Sequence, residues 1–192
     1  MVNTKLPIYL ASKSPRRRKL LKSIKLNFKT FSVDLAEEVF DAEHPIKTVK
    51  RLANEKLKQA EKSINDAIII TADTIVVLDN EIIGKPVSKK NAVEILSRLS
   101  GNSHLVYTGY SIKNLVSAKQ VTDYAKTKVK FRELSKKEIK DYVDRGSPMD
   151  KAGAYGIQDD YGSVFIEKIN GCYYNVVGLP LSKVYQSLQE VI

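Results

Sequence analysis

The sequence predicts a mixed α/β or α+β fold built around a mixed sheet. Three observations point there. Apolar, strand-like runs alternate with segments of helical periodicity. Turn signals of hairpin type fall between several of the runs. The 192 residues show no internal repeat, low-complexity tract or linker, so a single domain over 1–192 is expected.

Taken in chain order, Ile8 to Ala11 read as a short buried strand. Ser14 suits an N-cap and Pro15 the first helical position, where a missing N–H costs nothing. Leu20, Leu21 and Ile24 then form the inward face. Phe28 to Val33 alternate as a second strand. Pro45 begins a helix with Ile46, Val49, Ala53, Leu57, Ala60 and Ile64 on one stripe. "AIIITADTIVVLD" is strand-like throughout, turns at Asp79 to Glu81 and returns through "IIGKP". Ser88 opens a helix that runs to Leu99 and is closed by Gly101.

"HLVYTGYSIKN" and "KQVTDYAKTKVKFREL" form a long hairpin pattern of β-branched and aromatic residues. Ser135 and Glu138 have capping-box spacing for a helix ended by Gly146 and Pro148. "SVFIEKI-NG-CYYNVVG" reads as a hairpin on an Asn-Gly turn. A last helix follows Pro180.

Composition narrows the function. Apolar residues make up 43% and charged residues 28%, as in a soluble globule. No run approaches the roughly 20 apolar residues that span a bilayer, and the start lacks the apolar core of a signal peptide. Cys172 is the only cysteine, so neither an internal disulfide nor a cysteine metal cluster forms. A cytoplasmic protein is expected.

The net charge of +10 points to a polyanion, either nucleic acid or a phosphorylated small molecule. Residues 1–33 hold nine Lys or Arg and no acid, whereas residues 34–43, "DLAEEVFDAE", hold five acids and no base. A metal complex of a phosphate uses such a neighbouring pair of blocks; a nucleic-acid surface does not. Arg16, Arg17 and Arg18 stand in the first turn of a helix, where the dipole disfavours cations. Either they form a solvated basic face, or they wait for an anion. In the second reading the helix N–H groups, the Ser12 and Ser14 hydroxyls and the guanidinium forks make an anion cradle.

Asp73 lies inside an apolar strand, which is costly unless the carboxylate is paired, hydrogen-bonded or bound to metal. A turn-capping bulge is the alternative, and Thr71 and Thr74 serve either. Glu37 and Glu38 offer oxygen ligands of the kind Mg²⁺ or Mn²⁺ prefer, or a plain surface run. Lys56 falls on the apolar side of its helix, where its stem could also snorkel. Lys85 sits between Gly84 and Pro86. "DKAGAYGIQ", residues 150–158, permits close backbone approach, and Gln158 carries both a donor and an acceptor. His44 and His104 show no metal-ligand spacing and receive no role.

These pieces, in this order, resemble the Maf family of nucleoside triphosphate pyrophosphatases. The matching stretches are "LASKSPRRRKLL", "AEE", "RLANEKLKQA", "ADTIVVLDNEIIGKP", "RLSGNSH", "PMDKAGAYGIQ" and "INGCYYNVVGLPLSK", which cover nearly the whole chain. The resemblance implies an elongated mixed sheet with flanking helices in two lobes around a nucleotide cleft, an architecture shared with inosine-triphosphate pyrophosphatases. It implies hydrolysis of a nucleoside triphosphate to the monophosphate and pyrophosphate, with Mg²⁺ or Mn²⁺ as cofactor and a homodimer as the assembly.

By the same resemblance, Arg16 and Arg17 contact substrate and phosphate, and Lys56 and Lys85 bind phosphate. Glu38 is the metal-site glutamate, with Glu37 the second choice of register. Asp73 matches the general base, and with Glu38 it is further expected to hold the metal ion. Arg16, Thr74 and Gln158 match the group that hydrolyses dTTP and UTP, with modified pyrimidine nucleotides as further candidates. Asp159 and Asp160 depart from the family's glycine after "GIQ" and leave the exact nucleotide open. A rival reading is a basic binding protein for nucleic acid or the division machinery. No nucleic-acid module and little aromatic interleaving in the basic segment support it.

Overall fold

The computed structural model describes residues 2–40, 42–145, 148–158 and 160–192. The mixed α/β expectation holds. Seven strands form one sheet in the order β2-β1-β3-β5-β6-β7, with β4 paired to β3. The strands are β1 (Ile8–Ala11), β2 (Lys29–Phe31), β3 (Ile68–Leu78), β4 (Glu81–Ile83), β5 (Ser103–Asn114), β6 (Gln120–Phe131) and β7 (Ile166–Asn170). The helices are α1 (Pro15–Ser23), α2 (Pro45–Glu61), α3 (Lys89–Leu99), α4 (Lys136–Asp144), α5 (Tyr173–Val177) and α6 (Leu181–Val191). β1 runs parallel to β2 and to β3, while β3/β4 and β6/β7 are antiparallel.

The chain divides into two compact units. The first comprises Met1–Asp73, Thr108–Ala125 and Gly178–Ile192. Its core packs Leu10 and Ala11 of β1, Leu21 of α1, Val49, Leu52, Ala53 and Leu57 of α2, and the Ile68–Ile70 run of β3, all buried. Gly109 on β5 allows the backbone of α2 to come close: a Cβ there would stand 2.3 Å from the Val49 carbonyl oxygen. Any other residue would push the helix off the strand and carry Lys56 with it. The second unit comprises Thr74–Tyr107 and Lys126–Val177. There α3 packs on α4 and on a short 3-10 turn, Ala152–Ala154, over a core that includes Leu96, Val129, Phe131 and Tyr142.

Most local signals behave as their chemistry requires. Ser14 caps α1 by accepting from Arg17 N, and Pro15 follows it. Ser88 caps α3. Ser135 and Glu138 form both bonds of a capping box on α4. His44 is the N-cap of α2, its Nδ1 accepting from Ile46 N. Asp79 and Asn80 take positive φ, 51° and 66°, in the tight turn between β3 and β4. Gly101, at φ 68°, follows the end of α3.

Four expectations need correction. Ile24 is not on the inward face: it is the C-cap of α1 and is exposed. The second strand is only Lys29–Phe31, and α2 stops at Glu61, which leaves Ile64 beyond it. The Asn-Gly hairpin does not form. β7 ends at Asn170, Gly171 takes φ 131°, and the chain coils into α5 instead of returning as a strand.

Tertiary hydrogen bonds decide the last of these. Cys172 N donates to Thr127 Oγ1, whose hydroxyl in turn reaches the Cys172 carbonyl. Asn175 Nδ2 donates to Val106 O and to Thr127 Oγ1. A return strand could not make these bonds. The Gly146 stop for α4 and the Asp159 departure lie outside the described residues.

In the second unit the His104 ring is buried against Phe131 and Tyr155. Burial pulls its pKa from 6.5 down to about 4. The unfolded chain therefore takes up this proton first as the pH falls. The contribution to stability is fully present above pH 6.5 and is lost on the way down to about 4, at roughly 1.4 kcal/mol per pH unit. Urea unfolding at pH 7 and pH 4.5 checks this. The drop in stability between the two should be smaller by about 2–3 kcal/mol in His104→Phe than in the parent chain.

Candidate active site

Asp73 lies on β3, where every residue but Thr74 is buried, and is itself 5% exposed. It is not a turn cap; it has a cationic partner. Lys56 Nζ on α2 stands 2.5 Å from Asp73 Oδ1 and 2.6 Å from Glu37 Oε1. Lys56 reaches it because the helical stripe Val49, Leu52, Ala53, Lys56, Leu57 and Ala60 faces the sheet, so the lysine is buried with its apolar neighbours. Thr71, also on β3, spends its hydroxyl on the Ala53 carbonyl at 2.7 Å, which ties α2 to the strand one turn from Lys56.

Arg17 adds to the same charge environment. Its Nε donates to Gly178 O at 2.8 Å and its Nη1 to Ser12 Oγ at 3.3 Å. Ser12 Oγ also accepts from Ser14 N, and Ser14 Oγ accepts from Arg17 N. The two serines thus orient the start of α1 and one of its arginines. Burial pulls the Arg17 guanidinium down from its ordinary value, while Asp73 and Glu37 act to hold it up. For Asp73, burial is the largest influence and raises its carboxyl above the usual 3.8; Lys56 and Arg17 oppose the rise and Glu37 adds to it. Arg16 on the same helix is half-buried.

The glutamates separate. Glu37 is the one on Lys56, whereas the exposed Glu38 has its main-chain carbonyl held by Arg51 at 2.9 Å. Sequence reasoning missed Arg51, which pins the acidic stretch to α2. Its guanidinium bonds both carboxylate oxygens of Glu43, at 2.6 to 3.2 Å, pairs with Glu55 one turn on, and stacks 4.1 Å from the centre of the Phe40 ring. Its hydrogen bonds hold the Glu43 carboxyl below the usual range. A lone arginine facing an acidic block across an i,i+4 glutamate was the available signal.

The second unit carries Thr74, Lys85 and Gln158. Thr74 follows Asp73 on β3 and is half-buried; Lys85 is exposed just beyond β4. Gly153 N donates to Gly84 O at 3.1 Å, which joins the "GKP" segment to the loop that ends in Gln158. Lys151 in that loop is 8% exposed, pairs with Asp150 at 2.8 Å, and was not singled out from the sequence. Gly153 needs its freedom: φ is 72°, and a Cβ would meet Val76 Cγ2 at 3.0 Å.

The donor set suits a hard divalent ion. Asp73 and Glu37 bring two carboxylates to one point, now met by the Lys56 ammonium. Among the described residues no cluster of three or more His, Cys, Asp or Glu exists. Mg²⁺ commonly takes one or two carboxylates and completes its shell with water and substrate phosphate, so the residues fit such an ion better with a phosphate present than alone.

Comparison with known proteins places the chain in context. A family model described as "Maf-like protein" matches residues 7–191. A protein of Clostridium botulinum strain Kyoto named dTTP/UTP pyrophosphatase is 48% identical over 188 residues, covering 96% of each chain. Proteins of the same name from Syntrophomonas wolfei and Caldanaerobacter subterraneus are 46% and 47% identical, covering 93% and 95% of this chain and 94% and 88% of their own. Among solved structures, a HAM1 protein from Coxiella burnetii superposes with a TM-score of 0.51 at 12% identity, over 96% of this chain and 99% of its own. That likeness is one of fold.

If Arg51 organises the acidic stretch, Arg51→Ala should free it. Stability in urea should fall by about 2–3 kcal/mol, since Glu43 keeps a largely buried charge without its partner. Limited proteolysis should cut first within residues 34–43, and an unchanged cleavage pattern would count against the clamp.

Proposed function

The chain belongs to the Maf family, and on that premise we propose that it is a nucleoside triphosphate pyrophosphatase that hydrolyses dTTP and UTP. The observation that carries the reading is the buried carboxylate Asp73 held at 2.5 Å by Lys56 with Glu37 beside it. An apolar strand keeps a charged group at such cost chiefly for chemistry. The relatives at 46–48% identity carry the substrate names.

In this reading water attacks the α-phosphorus. Its oxygen forms the new P–O bond, its proton passes to the Asp73 carboxylate, and the bond to the bridging oxygen breaks to release pyrophosphate. An ordinary aspartate is a weak base at neutral pH; burial, which raises the carboxyl of Asp73, brings it nearer the working range. Arg16, Arg17, Lys56 and Lys85 neutralise the triphosphate, and Ser12 and Ser14 set the arginines or donate directly. Asp73 would hold a Mg²⁺ or Mn²⁺ ion together with a glutamate of the acidic block, Glu38 by the family pattern or Glu37 by its position on Lys56. The bound ion supplies charge neutralisation and Lewis acidity at the phosphates.

Gln158 is assigned to the base. The edge of thymine or uracil shows carbonyl acceptors and one N3–H donor, which a carboxamide matches by donating and accepting at once. Cytosine, with a bare N3 and an amine, mismatches the same orientation. Thr74 is assigned a supporting substrate contact. A homodimer and a cytoplasmic location belong to the same reading. No helix among the described residues is long and apolar enough to cross a membrane.

Pyrophosphate release from a nucleotide panel, with and without Mn²⁺, tests the function: dTTP and UTP should lead, and a pure binder releases none. In Asp73→Asn, turnover should fall on the order of 10²-fold or more with the fold retained; near-normal turnover would remove Asp73 from the chemistry. Glu37→Gln and Glu38→Gln, titrated with Mn²⁺, decide the register. The ligand's loss should raise the Mn²⁺ requirement roughly 10-fold or more, and the other's should leave it nearly unchanged. Gln158→Glu should shrink the preference for dTTP and UTP over CTP in kcat/KM by roughly 5- to 150-fold.

A further inference from the structure

Tyr155 stands in "DKAGAYGIQ", three residues before Gln158. Its hydroxyl lies 2.7 Å from His104 Nε2, at the start of β5. Both rings are buried, at 6% and 1% exposed, and they meet edge to face at 5.3 Å. Phe131 packs edge-on against each of them. His104 Nδ1 is buried too, and it finds no hydrogen-bond partner among the described residues.

That stranded nitrogen is informative. Phenylalanine at both positions of the same aromatic cluster would leave no polar atom unsatisfied, so packing alone does not account for the imidazole–phenol pair. What the imidazole adds is one hydrogen bond to one phenol. Burial holds His104 neutral at physiological pH and pushes the Tyr155 hydroxyl up, so the phenol keeps its proton and can donate to Nε2. The bond is therefore uncharged and insensitive to pH near neutrality.

The loop around Tyr155 has reason to need a tether. Gly153 and Ala154 both take left-handed φ, 72° and 61°, and the second is unfavourable for a residue with a side chain. Such strain persists where the surroundings enforce it. On the other side of Tyr155, the Gly156 backbone packs tightly on the Lys151 stem. A Cβ at Gly156 would meet Lys151 Cε at 2.9 Å and would lie 3.6 Å from Gln158 Nε2. A displaced Tyr155 moves Gly156, and Gly156 moves the carboxamide.

We propose that the His104–Tyr155 hydrogen bond is a latch that holds the 151–158 loop in its strained form and so aims Gln158, which makes His104 and Tyr155 positioning residues for base selection. The proposal rests on the reading that Gln158 contacts the base.

Tyr155→Phe removes one oxygen and is the mildest test. Amide hydrogen exchange within residues 151–158 should speed up in this variant. The KM for dTTP should rise roughly 2- to 10-fold, the worth of one neutral hydrogen bond, with kcat changed less. The dTTP to CTP ratio in kcat/KM should fall by a similar factor. The double variant His104→Phe/Tyr155→Phe separates positioning from stability. It strands no polar atom, so its Tm should recover towards the parent value while the ratio stays low.

Unchanged exchange in Tyr155→Phe overturns the latch. So does a ratio that recovers together with Tm in the double variant, because the pair then serves stability alone. If Tyr155→Phe speeds exchange but Gln158→Glu leaves the ratio unmoved, the latch stands and the base-reading role of Gln158 falls.

Discussion

A carboxylate in the middle of an apolar strand is costly without a partner, and Lys56 meets Asp73 at 2.5 Å. Much of the first unit follows from that pairing. The lysine must be buried, so it takes a place in the apolar stripe of α2. The helix must lie close to the sheet, so β5 has a glycine where α2 crosses it. Thr71 ties the same helix to the same strand. Replacing the pair by apolar residues would often be neutral or stabilising, so stability alone does not explain its presence. Under the proposed function, the use of Asp73 as a proton acceptor shielded from bulk water does.

Charge is arranged around the pair in layers. Lys56 is shared between Asp73 and Glu37, which brings two carboxylates close enough to raise each other's cost. Arg17 adds a second cation, tethered by Ser12 and the Gly178 carbonyl. Farther out, Arg51 gathers Glu43, Glu55 and the main chain of Glu38 onto α2. The +10 charge of the chain thus includes cations already committed to internal carboxylates as well as those at the start of α1. Arg51 belongs to scaffolding; the arginines on α1 stand where a helix N-terminus already favours an anion.

Much of the chain could be read from its residues because the deciding forces are local. Serine caps, the capping box of Ser135 and Glu138, and proline at the first position of α1 each act within one turn of helix. The buried character of Asp73 and the unusual placement of Lys56 were also visible, since each breaks the polarity pattern of its own element. The Asn-Gly signal failed for the opposite reason. Its alternative conformation is stabilised by Thr127, which is 45 residues away from Cys172 in sequence, and no local propensity records that bond.

The sequence by itself determined the family resemblance, the alternation of strand and helix, and the residue types available for phosphate chemistry, because motif spacing and hydrophobic period are properties of neighbouring residues. Only the tertiary structure decided which partners those residues meet. It put Glu37 rather than Glu38 on Lys56 and gave Asp73 a lysine. It stacked Arg51 on Phe40 and set Tyr155 on His104. Each of these is a contact between separate elements, fixed by how helices and strands pack and by the cost of leaving a buried polar atom alone, and that cost is set only once the chain has folded.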